Sequence, residues 1–216
     1  MDKKGKSKRP VRPLAPVLHI FCEGKKTEPY YLLHYLNLQG YGTPHERIVI
    51  ADRKTNTPIQ LVEEAIRRQK EESYAPCDRV WVVYDRESEV AYDSDRHNNA
   101  WQKAEGKNIG IAFSNVCFEV WLLLHYQVTA GRAYMSCDDL EKNSQLKTYL
   151  PKYAKGDKIP FTKEQIANAR ERAKKMNAVT IDGANKEWTH PYQWNPYTNV
   201  YELLDEIDKI LQENPR

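Results

Sequence analysis

The chain has 216 residues, which is enough for one large domain or for a domain with a smaller companion. Hydrophobic residues make up 40% of it and charged residues 29%, so disorder is excluded for most of the chain. The formal net charge of +3 is too small to indicate a nucleic-acid partner by itself. Apolar runs stay well short of the roughly 20 residues that a membrane span requires, and the basic N-terminus lacks the apolar segment of a secretory signal. We therefore expect a cytoplasmic protein that does not contact a membrane.

The cysteines support the same location. Four are present, and they are far apart in the sequence: Cys22, Cys77, Cys117 and Cys137. They form no Cys-x-x-Cys pair, which favours a reducing compartment and argues against a zinc ribbon or a disulfide-stabilised fold.

Residues 1–16 are predicted to form a basic flexible tail. They contain six lysines or arginines and one acid, Asp2, and their three prolines disfavour a regular helix. Such a segment is either a solvated terminus or an arm whose binding to phosphate groups weakens steeply with salt.

Between residues 17 and 126 the sequence alternates short apolar runs with helical patterns. The predicted strands span 17–22, 47–51, 79–84 and 110–114. The predicted helices begin near Thr27 and Thr57 and span 96–105 and 115–126. This alternation predicts an α/β core over 17–130, with a parallel four-stranded sheet, flanking helices and right-handed crossovers.

The alternation of strands and helices ends after residue 130. Predicted helices over 138–152, 162–176 and 198–212 are joined by lysine-rich loops. We predict that 131–216 forms a mainly helical companion or lid that packs on the core. A turn before the last helix is expected to supply its cap, either Thr198 or Asn199.

Acidic residues follow two of the predicted strands. Glu23 comes after the first strand, and Asp85 and Glu87 come after the third. These two strands are expected to be central neighbours, and the carboxyl ends of parallel strands share one edge, so the three carboxylates should lie close together. Carboxylates that close repel each other unless a cation lies between them, and oxygen ligands select Mg²⁺ or Mn²⁺ over zinc. Taken singly, each acid could equally be a turn residue or a helix cap.

A fourth carboxylate lies in an apolar segment. Glu119 has apolar residues on both sides, so its charge requires a partner if the segment is buried. It either pairs with a lysine or belongs to an active site. Lys25 and Lys26 follow Glu23 in a turn before a helix, where they could meet a phosphate; a solvated turn is the alternative.

Other residues are weaker candidates. His125 ends the apolar segment and is either a proton donor near neutral pH or a structural histidine. Lys155 lies in a loop with Tyr153 and could bind a phosphate, although a surface lysine is the simpler interpretation. The basic residues of 158–175 either line a nucleic-acid groove or form one solvated helix face. The aromatic segment 188–196 either holds a substrate or subunit or packs under a lid.

Four blocks of the sequence are distinctive. They are Phe-Cys-Glu-Gly-Lys-Lys-Thr-Glu-Pro-Tyr-Tyr (21–31), Tyr-Asp-Arg-Glu (84–87), Ser-Asn-Val-Cys-Phe-Glu-Val-Trp-Leu-Leu-Leu-His (114–125) and Asn-Pro-Tyr-Thr-Asn-Val (195–200). The first and third are the most specific. The blocks occur in the order found in the RloB family, which this sequence resembles and whose core is similar to the TOPRIM fold.

The resemblance implies a TOPRIM-type metal site at Glu23, Asp85 and Glu87. Relatives often have Asp at the position of Glu87, and they more usually have Asn-Pro-Cys where this chain has Asn-Val-Cys. The resemblance also implies a role in bacterial anti-phage or abortive-infection systems, often beside an ATPase gene. TOPRIM proteins in such settings are commonly metal-dependent nucleases, although fold alone does not determine chemistry.

The leading hypothesis is therefore a nuclease that uses Mg²⁺ or Mn²⁺ to hydrolyse phosphodiester bonds in RNA or DNA. The predicted metal ligands are Glu23, Asp85 and Glu87. The other predicted catalytic residues are Glu119, which completes the metal site or positions water, Lys25 and His125. The predicted phosphate-binding residues are Lys26, Arg86 and Lys155.

The alternative hypothesis is a non-catalytic sensor or adaptor. The same fold would then bind nucleic acid, or an ATPase partner, and relay its state. The sequence does not choose between RNA and DNA and gives no oligomeric state.

Overall fold

The structure is a computed structural model that describes residues 15–42, 45–51, 57–88, 91 and 93–213. The predicted basic tail, apart from its last two residues, lies outside these ranges.

Five strands form one mostly parallel sheet in the order β2-β1-β3-β4-β5. They are β1 (Leu18–Cys22), β2 (Ile48–Ala51), β3 (Arg79–Asp85), β4 (Gly110–Asn115) and β5 (Tyr197–Thr198). The first four are parallel to one another, whereas β5 runs antiparallel to β4. The predicted α/β class with a TOPRIM-like sheet is confirmed, but the expected count of four strands was wrong because the two-residue β5 has no periodic signal of its own.

Eight α-helices flank the sheet within the described residues. They are α1 (Thr27–Leu38), α2 (Pro58–Glu71), α3 (Ser94–Glu105), α4 (Glu119–Leu123), α5 (Cys137–Asn143), α6 (Leu146–Tyr149), α7 (Lys163–Gly183) and α8 (Val200–Gln212). Side chains cap the starts of α2, α3, α5 and α7: Thr57, Asp93, Ser136 and Thr162. Bilayer-spanning segments are absent from the described helices, since their length and apolar character never combine as such a segment requires.

Helices cover both faces of the sheet. Alternate strand residues point to opposite sides, so Ile20 joins a core cluster with residues of α1, α4, α7 and α8, whereas Phe21 joins one with α2 and α3. Strands buried on both faces are apolar along their whole length, which explains the unbroken apolar runs in the sequence.

The C-terminal part of the chain shares this core. Residues of α7 and α8 belong to the same apolar cluster as residues of β1 and α1. Asn199 joins α8 to β4: its Oδ1 accepts the Phe113 N–H at 2.7 Å and its Nδ2 donates to the Ile111 carbonyl at 3.0 Å. Asn199 occupies the N-cap position that the sequence predicted, but its side chain bonds the strand instead of capping the helix.

The predicted helix over 115–126 was wrong in extent. Asn115 is the last residue of β4, where it pairs with Tyr197, and its side chain donates to the carbonyls of Tyr192 and Trp194. These long-range bonds hold Asn115 in the sheet, so the helix begins only at Glu119.

Two further helix boundaries differ from the prediction. The segment 138–152 contains two short helices, because Ser144 is extended and its hydroxyl accepts the Leu146 N–H at 3.1 Å. The helix predicted over 162–176 continues to Gly183.

Two buried histidines make the stability of the protein depend on pH. His97 packs between Tyr84 and Tyr192, and His125 lies 3.0 Å from the Tyr31 hydroxyl through its Nε2. Burial lowers the pKa of His97 to about 4 and that of His125 to about 3. An unfolded histidine titrates near pH 6.5, so as the pH falls the unfolded state takes up protons before the folded state does.

We predict that acidification from about pH 7.5 to about pH 5 costs on the order of 2 kcal/mol of unfolding free energy for each of these histidines. Urea unfolding of the wild type and of His125→Gln at both pH values measures the contribution of one of them. The variant lacks one titrating group, so its unfolding free energy should change less with pH. If the unfolding free energies of both proteins changed equally with pH, the lowered pKa of His125 would be contradicted.

Candidate functional site

The neighbouring strands β1 and β3 end at the same edge of the sheet. Cys22 pairs with Val83, and the Glu23 N–H donates to the Val83 carbonyl at 2.8 Å, so the pairing continues one residue beyond β1. Asp85 ends β3, where it pairs with Ser114 of β4. The strand order therefore brings Glu23 and Asp85 side by side, as the sequence predicted.

A cleft of about 420 Å³ opens at this edge. Its lining includes five carboxylate side chains: Glu23, Glu28, Asp85, Glu87 and Glu119. It also includes three lysines: Lys25, Lys26 and Lys155. Negative charge thus exceeds positive charge among the described lining residues, an arrangement that favours a bound cation.

Asp85 lies where this repulsion is concentrated. Its backbone N–H donates to the Glu23 carboxylate at 3.3 Å, and its own Oδ1 is buried with no hydrogen-bond partner among the described residues. Burial, followed by the charges of the other four carboxylates, raises the pKa of Asp85 well above its usual value of 3.8. A cation in contact with Oδ1 would satisfy this atom and relieve the repulsion.

Glu28 is a cleft residue that the sequence analysis missed. It lies in the first turn of α1, is only 5% exposed, and its Oε1 accepts the Gly24 N–H at 3.0 Å. A Cβ on residue 24 would lie 1.9 Å from the Oε2 of Glu28, so glycine is needed for this close approach. The available signal was an acid in the first turn of the helix that follows Glu23, but acids are common there because of the helix dipole.

Glu87 is held in the cleft by an unusual backbone conformation. Its φ is 56°, in the left-handed region that residues other than glycine rarely adopt. Its N–H donates to the Val116 carbonyl at 2.9 Å, which fixes the turn after β3. Such conformations persist only where the surrounding structure holds them, and they concentrate at functional sites.

Glu119 lines the inner part of the cleft and is 2% exposed. Its Oε1 accepts the Tyr153 hydroxyl at 2.7 Å, and its Oε2 lies 3.4 Å from the Cys137 sulfur. Desolvation alone would lower the pKa of Lys155, but the nearby Cys137 and Glu119 raise it above its usual value. Glu119 thus has the charge of Lys155 nearby and also lines the cleft, so the structure is compatible with both the lysine partner and the active-site role that the sequence left open.

The three lysines of the cleft come from two segments of the chain that pack together. The aliphatic chain of Lys26 packs on Gly156, where a Cβ would lie 2.6 Å from the lysine Cδ. Gly156 has a φ of +93°, and its N–H donates to the Thr27 hydroxyl at 3.0 Å. These contacts hold the loop that carries Lys155 against the start of α1.

Two predicted site residues lie outside the cleft. His125 is buried, with its ring nitrogens 3.0 Å from the Trp121 carbonyl and 3.0 Å from the Tyr31 hydroxyl. Arg86 is also buried, and its Nε donates to the Tyr192 carbonyl at 3.1 Å. His125 is therefore a core residue, and Arg86 joins the end of β3 to the segment before β5. We leave both out of the proposed site.

The cleft acids offer the oxygen ligands that a divalent cation such as Mg²⁺ prefers, but Glu23, Asp85 and Glu87 do not form a group of three ligand atoms within 4.8 Å of one another. Glu23, Asp85 and Glu87 come from two adjacent strand ends, and the Oδ1 of Asp85 is a buried acceptor without a donor among the described residues. Carboxylates of this kind are the usual ligands of Mg²⁺ and Mn²⁺.

The sheet and this cleft define an α/β protein with a TOPRIM-like core and an acidic site at the carboxyl edge of its central strands. A profile of the RloB-like protein family matches residues 18–207, and the chain belongs to this family. The match extends from β1 into α8 and includes every cleft residue named above. Comparisons with curated proteins and with solved structures gave no match.

We predict that Asp85→Asn stabilises the metal-free protein near neutral pH. The raised pKa of Asp85 means that the unfolded state loses this proton before the folded state does, so the stability of the wild type falls as the pH rises above 3.8. We therefore expect the variant to have the larger unfolding free energy at neutral pH, with a difference that grows as the pH rises above 3.8.

Chemical unfolding in the presence of a chelator, from about pH 4 to about pH 8, measures this effect. The advantage of the variant should shrink toward the acidic end, where the pH approaches 3.8 and Asp85 of the unfolded state also begins to take up a proton. A variant that is less stable than the wild type throughout this range would show that the Asp85 carboxylate is not destabilised by its neighbours.

Proposed function

We propose that this protein is a metal-dependent phosphodiesterase that cleaves nucleic acid. The observation that carries the proposal is one cleft in which acids from two adjacent strand ends lie together, with the buried Oδ1 of Asp85 lacking a partner among the described residues. Glu23, Asp85 and Glu87 would hold Mg²⁺ or Mn²⁺. When bound, such a cation supplies Lewis-acid polarisation of the phosphate and activation of the attacking water.

We propose that the remaining residues of the cleft bind and orient the phosphate group of the substrate. Lys25 and Lys26 directly precede α1, and Lys155 lies in the loop whose Gly156 packs against Lys26. Their ammonium groups would bind the non-bridging oxygens of a phosphate and offset the charge of the carboxylates. Glu28, whose Oε1 accepts the Gly24 N–H, would offer a further carboxylate oxygen to the cation.

Glu119 is suited to a positioning role. Its two carboxylate oxygens already contact Tyr153 and Cys137, so it is held rigidly at the inner wall of the cleft. We propose that it fixes the Lys155 side chain, and through that lysine the phosphate, by charge attraction.

We further propose that the cleavage serves bacterial defence against phage, by abortive infection, together with an ATPase partner. The support for this part is membership of the RloB-like family alone. A cytoplasmic location is proposed on the same basis and on the wide spacing of the four cysteines, which form no Cys-x-x-Cys pair.

The test is cleavage of labelled RNA and DNA substrates with Mg²⁺ or Mn²⁺. We expect Glu23→Gln and Asp85→Asn each to lose about 100-fold or more in rate, because an absent ligand removes several kcal/mol of metal-dependent stabilisation. Two variants on the exposed surface of α7 serve as matched controls, since Glu171 is 66% and Asp182 is 93% exposed: Glu171→Gln and Asp182→Asn.

Thermal unfolding with and without the metal gives a second reading, because a cation that binds the folded state raises its melting temperature. Equal cleavage by the wild type and both cleft variants would defeat the proposal. Nucleic-acid binding that survives both substitutions, without cleavage under either metal, would instead support the sensor or adaptor.

A further inference from the structure

A buried group of sulfur and oxygen atoms lies at the inner end of the cleft. Cys117, Glu119 and Cys137 each offer one ligand atom, and these three atoms lie within 4.8 Å of one another. All three side chains are at most 5% exposed. The sequence analysis argued against a zinc ribbon because the cysteines form no Cys-x-x-Cys pair, but the fold brings Cys117 and Cys137 together.

Packing of α4 on α5 creates the group. Cys117 and Glu119 lie on the two sides of Phe118, at the start of α4, and Cys137 is the first residue of α5. Cys117 and Glu119 are two residues apart, so their thiol and carboxylate lie in the same turn. The Cys137 thiol comes from the neighbouring helix α5.

One distance in the group matches the separation that zinc imposes. Zinc binds thiolate sulfur at about 2.3 Å and carboxylate oxygen at about 2.0 Å with tetrahedral geometry, so two such ligands are separated by about 3.5 Å. The Cys137 sulfur lies 3.4 Å from the Glu119 Oε2, and the Cys117 sulfur lies within 4.8 Å of both atoms. Cys137 and Glu119 therefore have the separation of zinc ligands, and Cys117 is near enough to complete the group.

The surroundings suit a metal centre with these ligands. Tyr153 donates to the other carboxylate oxygen of Glu119 at 2.7 Å, the kind of bond that orients a metal ligand from behind. Two thiolates and one carboxylate around a divalent cation leave one net negative charge, which the Lys155 ammonium beside Cys137 and Glu119 would balance. Because Glu119 also lines the cleft, an ion has a route from solvent.

We propose that Cys117, Glu119 and Cys137 bind one zinc ion. Thiolates select zinc over magnesium, so this site and the oxygen site of Glu23, Asp85 and Glu87 would take different metals from the same solution. Three protein ligands leave one position open, as in zinc sites that bind water or substrate. The proposal does not depend on the nuclease activity.

Cobalt substitution tests the proposal on the untagged, full-length wild-type chain. Co²⁺ bound by two thiolates and a carboxylate gives an intense near-ultraviolet charge-transfer band and the visible spectrum of a tetrahedral site. We expect both on addition of one equivalent of Co²⁺ in excess Mg²⁺, and their loss on addition of one equivalent of Zn²⁺. Absence of the charge-transfer band would overturn the proposal and leave the group as a hydrogen-bonded thiol pair.

Substitutions identify the ligands. Cys117→Ser or Cys137→Ser should weaken zinc binding by about 100-fold or more, since loss of an outer-sphere partner alone costs about 10- to 100-fold. Cys77→Ser removes a half-buried thiol that is not part of the group and should leave zinc binding unchanged. Equal zinc affinity in all three variants, measured by competition with a chelating dye, would reject the assignment.

Glu23→Gln separates this proposal from the nuclease. It should abolish cleavage and retain the cobalt spectrum if both proposals hold. If Glu23→Gln cleaves as fast as the wild type and gives the same cobalt spectrum, the nuclease proposal is rejected and the zinc site is retained. A missing cobalt spectrum in an active wild-type protein would reject the zinc site alone.

Discussion

Repulsion among carboxylates at the end of two adjacent strands is the constraint on which the site depends. β1 and β3 pair up to Cys22 and Val83, and the Glu23 N–H adds one more hydrogen bond to Val83. The backbones of Glu23 and Asp85 therefore cannot separate without breaking hydrogen bonds of the sheet. The backbone N–H of Asp85 donates to Glu23, and that of Gly24 donates to Glu28. These bonds hold the charges in place, and the three lysines of the cleft reduce the repulsion among them.

The part of this arrangement that follows from short stretches of sequence could be predicted. The apolar runs of β1 and β3 fix two buried parallel strands, and the acids that follow them must then share an edge. Glu28 could not be identified in the same way, because an acid in the first turn of a helix is ordinary. Its importance appears only when Gly24 allows it to reach the turn after β1.

Features that depend on long-range contacts were missed or misjudged. Asn115 was expected in a helix, but its bonds to the segment before β5 hold it in β4. His125 and Arg86, both predicted as site residues, are buried side chains whose long-range partners are the Tyr31 hydroxyl and the Tyr192 carbonyl, and the sequence pattern carried no sign of these contacts. Cys117 and Cys137 meet only because α4 packs on α5, so their spacing in the sequence carried no sign of their contact.

The bonds from Asn199 have a consequence for how the protein behaves at high concentration. An outer strand with free peptide groups is a template on which another molecule can build, which is a common route to aggregation. Here β5 and Asn199 bond the outer peptide groups of β4 from Ile111 to Asn115. The Asn199 side chain makes the hydrogen bonds that a longer β5 would otherwise make. This side of the molecule is thereby closed to intermolecular sheet growth.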